Sequence, residues 1–97
     1  MAVEEYVQEL IKQYDVVVFS KSYCPYCKQA IALLTELGHP PFILQMDQTP
    51  NGDEIQDYLE RFSGQRTVPN IFIKQKHIGG CDSLMQLHES GQLEEIL

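Results

Sequence analysis

Long apolar runs and basic residues are both scarce in this chain of 97 residues. No apolar stretch approaches the roughly 20 residues that a membrane-spanning helix requires, so a membrane partner is not expected. The chain has seven lysine and arginine residues and 14 aspartate and glutamate residues, which gives a formal net charge of −7. Because so negative a chain is repelled by phosphate backbones, nucleic acid is not expected as a partner either.

Cysteine is also scarce, with three residues in the chain. An odd number argues against the complete disulfide framework of a small secreted protein. The acidic first residues lack the basic and then apolar layout of a signal peptide and the Arg- and Ser-rich character of a transit peptide. The expected location is therefore the cytoplasm, unless a leader was removed. In that reducing compartment, a close cysteine pair is more often catalytic or metal-binding than structural.

The order of hydrophobic patterns predicts one α/β domain over residues 1–97. The predicted helices cover residues 3–11, the segment from the cysteine pair to 38, residues 53–64, and a last helical region from 82 onward. The predicted strands cover residues 15–20, 42–46, 70–74 and 76–79, the last two forming a hairpin around Gln75. We therefore expect a four-stranded mixed sheet flanked by helices on both faces, with the second strand buried like the first.

The close cysteines are Cys24 and Cys27, in the segment SKSYCPYCKQA at 20–30. A CxxC motif between the first strand of a β-α-β unit and its helix is the thioredoxin-like redox arrangement, which makes a thioredoxin-like fold the expected one. Pro25 suits the first turn of a helix, so Cys24 lies near the N-cap. There the positive end of the helix dipole and the charge of Lys21 stabilise a thiolate, while Cys27 stays a thiol. This asymmetry predicts that Cys24 is the nucleophile and Cys27 the resolving cysteine.

Two other interpretations of the cysteine pair stay open. Zinc also uses C-x2-C pairs, and His77 with Cys81 would complete a set of four ligands. However, zinc pairs usually sit on knuckle turns, and His77 and Cys81 lie on separate parts of the late hairpin. The cysteines would be inert in the third interpretation. We favour thiol redox chemistry over both and predict no metal site.

The chain resembles the glutaredoxins, specifically the small dithiol type of eukaryotic cytosol. The resemblance is carried by KSYCPYCK at 21–28, NGDEIQDYL at 51–59, GQRTVPNIFI at 64–73, HIGGCDSL at 77–84 and the tail GQLEEIL. CPYC followed by TVP and then GG-x-D is a specific combination. A thioredoxin is expected to carry Trp-Cys-Gly-Pro-Cys, and this chain has no tryptophan.

The resemblance implies an enzyme, a glutathione-dependent thiol–disulfide oxidoreductase that reduces protein–glutathione mixed disulfides and protein disulfides. It implies glutathione as co-substrate, no tightly bound cofactor, and a monomer. The implied partners are glutathionylated and disulfide-containing proteins, among which the family allows ribonucleotide reductase. Some glutaredoxins instead hold a [2Fe–2S] cluster between two chains. Members of that kind tend to carry serine or glycine where this chain has Pro25, so the sequence disfavours this alternative.

The resemblance also implies a set of glutathione-binding residues. Lys21 and Gln56 would hold the glycine carboxylate, and Arg66 would assist them. The backbone of Val68 would pair with the cysteine of glutathione, beside a cis peptide bond at Pro69. The γ-glutamyl carboxylate would meet the start of the last helix. The full set is Lys21, Tyr26, Gln56, Arg66, Thr67, Val68, Pro69, Gly80, Cys81, Asp82 and Ser83.

One departure from the family falls within this set. The family commonly has aspartate at the second position after GG-x, where this chain has Ser83, directly after Asp82. The contact with the γ-glutamyl end is therefore expected to differ from that in relatives. Cys81 is expected to be a packed residue rather than a catalyst.

Overall fold

The computed structural model describes residues 2–97, in which helices and strands alternate as far as a closing hairpin. The helices are α1 (Val3–Gln13), α2 (Pro25–Glu36), α3 (Gly52–Ser63), α4 (Cys81–Glu89) and α5 (Gln92–Ile96). The strands are β1 (Val16–Ser20), β2 (Phe42–Gln45), β3 (Asn70–Ile73) and β4 (Lys76–Gly79), and a 3-10 helix spans Met46–Gln48. No helix within residues 2–97 has both the length and the apolar character needed to cross a membrane.

The four strands form one mixed sheet in the order β2-β1-β3-β4. β1 runs parallel to β2, with Val17 opposite Phe42, and antiparallel to β3, with Val17 opposite Phe72. β3 and β4 form the antiparallel hairpin, with an irregularity between Ile71 and Phe72. The predicted α/β class and four-stranded mixed sheet are confirmed.

The sheet has a hydrophobic core on each face, because successive side chains of a strand point to opposite faces. All five residues of β1 are buried. Val17 and Phe19 belong to one core, for which α1 and α3 supply the helical side chains. Val16 and Val18 belong to the other, with side chains from α2, α4 and α5. Helices therefore cover both faces, as predicted.

Three details of the predicted elements are wrong. β2 is an edge strand rather than a buried one, and Ile43 is 37% exposed, because only β1 pairs with it. Met46 belongs to the 3-10 helix and not to the strand. The last helical region consists of α4 and α5, because Gly91 adopts a left-handed conformation with φ of 79°, through which a right-handed helix does not continue.

The sheet brings three segments that are distant in sequence together at one end of its strands. β1 finishes at this end and leads into the loop before α2. Because β3 is antiparallel to β1, the first residue of β3, Asn70, pairs with Phe19 near the end of β1. β4 reverses direction again, so its last residue, Gly79, pairs with Ile71 near the start of β3. The CPYC, TVP and GG-x-D segments therefore meet at the same end of the strands.

Candidate active site

The cysteine pair lies at the amino end of α2, as the sequence predicts. Cys24 is the N-cap, with φ of −86° and ψ of 114°, and Pro25 is the first helical residue. The N–H of Cys27 donates to Cys24 Sγ over 3.3 Å, so the sulfur takes the place of the usual N-cap oxygen. Cys24 Sγ also lies 3.8 Å from the carbonyl oxygen of Val68. Both cysteines are free thiols.

The environment of Cys27 favours its protonated form. Cys27 is 1% exposed, and burial raises the pKa of its thiol. The hydrogen bond with Cys24 raises this pKa further, against smaller opposing contributions from Ser20 and Lys21. Cys27 is therefore a neutral thiol at pH 7.

A cavity of about 350 Å³ lies beside the cysteine pair. Its lining consists of Tyr26, Gln65, Thr67, Val68, Pro69, Gly80, Cys81, Asp82 and Ser83. All of these except Gln65 belong to the predicted glutathione-binding set. The peptide bond between Val68 and Pro69 is cis, in agreement with the expectation for this segment. The structure thus brings most of the predicted set together, whereas Lys21, Gln56 and Arg66 do not line the cavity.

Gln56 and Arg66 already have partners within the fold. Gln56 is 9% exposed, and its Nε2 donates to the carbonyl oxygen of Arg66 over 2.8 Å. Arg66 Nη1 lies 2.6 Å from Asp57 Oδ1 and 3.1 Å from Glu60 Oε1. Both carboxylates raise the pKa of Arg66 above its ordinary value, and Asp57 has the larger effect. Arg66 would exchange an existing ion pair for a ligand carboxylate, and its binding role stays a prediction.

A carboxylate in the 3-10 helix after β2 holds the loop that leads to Cys24. The N–H of Ser22 donates to Asp47 Oδ1 over 2.9 Å, and the Ser22 hydroxyl donates to Asp47 Oδ2. These bonds lower the pKa of Asp47, and the charge of Lys21 lowers it further. No sequence motif singled out Asp47 as a site residue. Its position directly after the predicted strand at 42–46 was the available signal, because the parallel strands of a β-α-β unit end on the same side of the sheet.

Gln65 is the second residue that the sequence analysis did not single out. It lines the cavity, and its Nε2 donates to the carbonyl oxygens of Thr67 and Pro69 over 3.0 and 2.9 Å. No sequence pattern distinguishes it, because a polar residue after the glycine that ends a helix is common.

Cys81 is packed, as predicted, although it also lines the cavity. It is 6% exposed and contributes to the core formed by α2 and α4. Burial, followed by the charges of Asp82 and Cys24, raises the pKa of its thiol. Nothing in residues 2–97 gathers three or more His, Cys, Asp or Glu side chains in a way that suits a metal ion. His77, which the zinc interpretation would need, instead places Nε2 3.0 Å from Asn70 Oδ1.

A dithiol at the start of a helix that follows the first strand of a mixed sheet defines a thioredoxin-like thiol–disulfide oxidoreductase. The family model of glutaredoxin matches residues 16–78. The chain belongs to the glutaredoxin family, whose members are glutathione-dependent oxidoreductases. It is 46% identical to Glutaredoxin-1 of Rhizophagus irregularis over 95 residues, which cover 98% of this chain and 94% of that protein. It is 50% identical to a glutaredoxin of Ricinus communis over 90 residues, which cover 93% and 88%.

Solved glutaredoxin structures share the whole fold. The buckwheat glutaredoxin–glutathione complex matches with a TM-score of 0.96 at 45% identity, covering 98% of this chain and 86% of that one. The holo form of glutaredoxin C1 from Populus tremula x tremuloides matches with a TM-score of 0.94 at 38% identity, covering 99% and 95%. The predicted thioredoxin-like fold and enzyme class are confirmed.

We expect iodoacetamide at pH 7.5 to label Cys24 at least about tenfold faster than Cys27 or Cys81. Alkylation requires the thiolate, and each unit by which a pKa exceeds the pH lowers the thiolate fraction tenfold. The pKa values of Cys27 and Cys81 lie above the ordinary value of 9.0. Peptide mass spectrometry after timed quenching measures the three rates, and labelling in denaturant, where all three should react alike, is the control.

The same shifts fix the direction of a pH effect on stability. For Cys27 and Cys81, the folded pKa exceeds the unfolded one, so their contribution is complete below the unfolded value and is lost as the pH rises through the folded pKa. The ratio of the labelling rate of Cys24 to those of Cys27 and Cys81 should fall over the same alkaline range. Equal labelling of native Cys24 and Cys27 at pH 7.5 would contradict the asymmetry.

Proposed function

We propose that Cys24 is the nucleophile and Cys27 the resolving thiol of a glutathione-dependent disulfide reduction. The position of Cys24 Sγ carries the proposal, since it caps α2, accepts the Cys27 N–H over 3.3 Å and lies 3.8 Å from the Val68 carbonyl oxygen at the cavity. An N–H directed at the sulfur and the positive end of the helix both stabilise negative charge on that atom. Cys27 is buried and stays protonated until it attacks the mixed disulfide at Cys24.

The reaction proceeds by two thiol–disulfide exchanges. The Cys24 thiolate attacks the glutathione sulfur of a protein–glutathione mixed disulfide, the original S–S bond breaks, and the protein leaves as a thiolate that takes up a proton. The thiolate of a second, reduced glutathione then attacks the glutathione sulfur bound to Cys24. Oxidised glutathione leaves, and Cys24 is returned as the thiolate.

Protein disulfides take a dithiol route. Cys24 forms a mixed disulfide with one protein sulfur and releases the other as a thiol. Cys27 then loses its proton and attacks Cys24, which releases the second protein thiol and leaves a Cys24–Cys27 disulfide. Two molecules of glutathione reduce that disulfide and become oxidised glutathione.

We assign glutathione to the cavity of about 350 Å³. The main chain of Val68 suits the cysteine of glutathione, because extended backbones pair through N–H and C=O groups. The first N–H groups of α4, beside Asp82 and Ser83, suit the γ-glutamyl carboxylate, and the Asp82 carboxylate suits the neighbouring ammonium. Gly80 lines the cavity, and a Cβ there would make an ordinary contact of 3.6 Å with the carbonyl oxygen of Pro69.

We assign the glycine carboxylate of glutathione to Lys21, with Gln56 and Arg66 shaping that end of the site. Lys21 is partly buried in the loop between β1 and Cys24. The hydrogen bond from Gln56 to the carbonyl oxygen of Arg66 fixes the backbone directly before Thr67. Tyr26, which is 61% exposed, also lines the cavity.

The coupled assay with glutathione, glutathione reductase and NADPH tests this assignment on a peptide–glutathione mixed disulfide. We expect turnover by the native protein and an increase of about fivefold in the KM for glutathione in Lys21→Ala, as for a lost charged hydrogen bond of about 1 kcal/mol. Lys12→Ala is the matched control, since it removes the same charge from the end of α1. No turnover would overturn the function, and equal KM values for the two variants would overturn the role of Lys21.

We further propose that residues 1–97 act as a single domain and a monomer in the cytoplasm. The exchange steps interconvert thiols and disulfides and need no tightly bound cofactor. The cytosolic glutathione pool, at about −220 to −260 mV by extraction, is reducing enough to recycle glutaredoxins, which lie at about −200 to −230 mV. The proposed partners are glutathionylated and disulfide-containing proteins, with ribonucleotide reductase among them.

A further inference from the structure

We propose that Gln65 is a positioning residue for glutathione, whose carboxamide fixes the Thr67–Pro69 segment with the Val68 main chain at the cavity. This inference rests on the proposed function, because it concerns how the same site recognises the glutathione part of a mixed disulfide. Gln65 has no reacting atom and acts only through the segment that it holds.

A single nitrogen atom of Gln65 joins both ends of the segment. Nε2 donates to the carbonyl oxygen of Thr67 over 3.0 Å and to that of Pro69 over 2.9 Å. A primary amide has two N–H groups, and both are used here. The two carbonyl groups flank Val68, whose own carbonyl oxygen lies 3.8 Å from Cys24 Sγ. The side chain therefore sets where the Val68 main chain lies relative to the nucleophile.

The backbone of Gln65 is itself fixed on both sides. Its N–H donates to Ser63 Oγ over 3.3 Å, and its carbonyl oxygen accepts from Asn70 Nδ2 over 3.5 Å. Asn70 is 1% exposed and is the first residue of β3. Gly64 ends α3 in a left-handed conformation with φ of 79° and turns the chain toward the cavity. Gln65 is thus anchored to the end of a helix and to the central part of the sheet.

The Gln65 carboxamide also adjoins the opposite wall of the cavity. A Cβ at Gly79 would lie 3.8 Å from Gln65 Oε1, and one at Gly80 would lie 4.0 Å from Nε2. The glycine pair leads directly into α4, the assigned site of the γ-glutamyl end. Gln65 therefore lies between the two backbone segments that would recognise adjacent parts of glutathione, and it sets their spacing.

The two hydrogen bonds to Thr67 and Pro69 require a side chain as long as glutamine that carries two N–H donors on its terminal nitrogen. Ionised glutamate has almost the same shape but no N–H group, so Gln65→Glu would direct a negative charge at two carbonyl oxygens. Gln65→Met keeps the unbranched length and removes the donors without adding charge. The two variants separate the loss of the hydrogen bonds from the effect of the charge.

The test compares two mixed disulfides of one peptide, with glutathione and with cysteamine, which lacks the tripeptide backbone. Release of the peptide thiol is followed in single turnovers by stopped flow. We expect Gln65→Glu to lower kcat/KM for the glutathione disulfide about tenfold and Gln65→Met about fivefold, as for one or two lost hydrogen bonds. The rates with the cysteamine disulfide should stay within about twofold of native. Gln75→Glu, at the exposed turn of the β3–β4 hairpin, makes the same chemical change away from the cavity.

Each outcome of this comparison decides between the proposals. A selective loss on the glutathione disulfide supports the positioning role, since general damage to the fold would slow both substrates. Equal loss on both disulfides, or unchanged preference in both variants, overturns it. If the native protein does not prefer the glutathione disulfide, the proposed glutathione site fails and not merely the part played by Gln65. Thermal unfolding of each variant identifies any that is not folded, and the other variant then decides.

Discussion

The Cys24→Ser variant is expected to lose turnover of protein–glutathione mixed disulfides by about three orders of magnitude or more, while Cys27→Ser keeps it. A serine hydroxyl is not ionised at neutral pH and cannot replace a thiolate in disulfide exchange. The donor to Cys24 Sγ is the backbone N–H of residue 27, which the Cys27→Ser change leaves in place. The surviving nucleophile should therefore keep its stabilising hydrogen bond.

The two variants also differ on protein disulfides. Cys27→Ser should lose the reduction of a disulfide-bonded peptide, since the variant lacks the thiol that is assigned to displace the product from Cys24. The coupled glutathione reductase assay measures the first activity, and release of peptide thiols without glutathione measures the second. If Cys27→Ser lost both activities equally, the assignment of nucleophile and resolving thiol would be wrong.

Gly52→Ala is expected to cause a large loss of stability. A Cβ at Gly52 would lie 1.9 Å from the carbonyl oxygen of Met46, so the backbone at the start of α3 must move. Strain of this kind in a packed region costs about 3 kcal/mol, which corresponds to a fall in Tm of roughly 12 to 24 °C for a domain of this size. Calorimetry or thermal circular dichroism measures it. The displaced segment adjoins Asp47, so the loop held through Ser22 should also loosen.

Gly64→Ala is the matched control for this effect. Gly64 has φ of 79°, but a Cβ there would meet nothing within 4 Å. Alanine at this position should therefore lower the free energy of unfolding only by the penalty for a left-handed residue with a Cβ, about 1 to 2 kcal/mol. If Gly52→Ala unfolded at the same temperature as Gly64→Ala, the close approach to Met46 would not limit the stability of the native fold.

Local patterns were sufficient to predict the elements that hold the cysteine pair. The first four residues of β1 are apolar because the strand is covered on both faces, and Pro25 marks the first turn of the helix that Cys24 caps. The edge position of β2 was not predictable in this way, since it depends on which strands pair. The end of α4 before Gly91 was missed because a glycine near a chain end also fits a continuous helix.

The side-chain contacts of the candidate site were less accessible to sequence reasoning. Asp47 and Ser22 are 25 residues apart, and their hydrogen bonds follow only from the parallel pairing of β1 and β2. The amide of Gln56 was predicted to bind a ligand carboxylate, which stays a prediction, while its hydrogen bond to the carbonyl oxygen of Arg66 was not foreseen. A motif indicates which residue types a site needs, whereas competing partners for each polar group depend on the complete three-dimensional arrangement.

The pairing of Phe19 with Asn70 has a consequence for how activity depends on folding. A chain that had formed only the amino-terminal strand and its helix would already possess the dithiol, but no surface to select a substrate. A slip of one position between these strands would turn the neighbouring side chains to the wrong face and move the Val68 carbonyl group away from Cys24 Sγ. The cysteine pair therefore needs only β1 and α2 to form. Substrate selection also requires the β3–β4 hairpin to pair with β1 in the correct register.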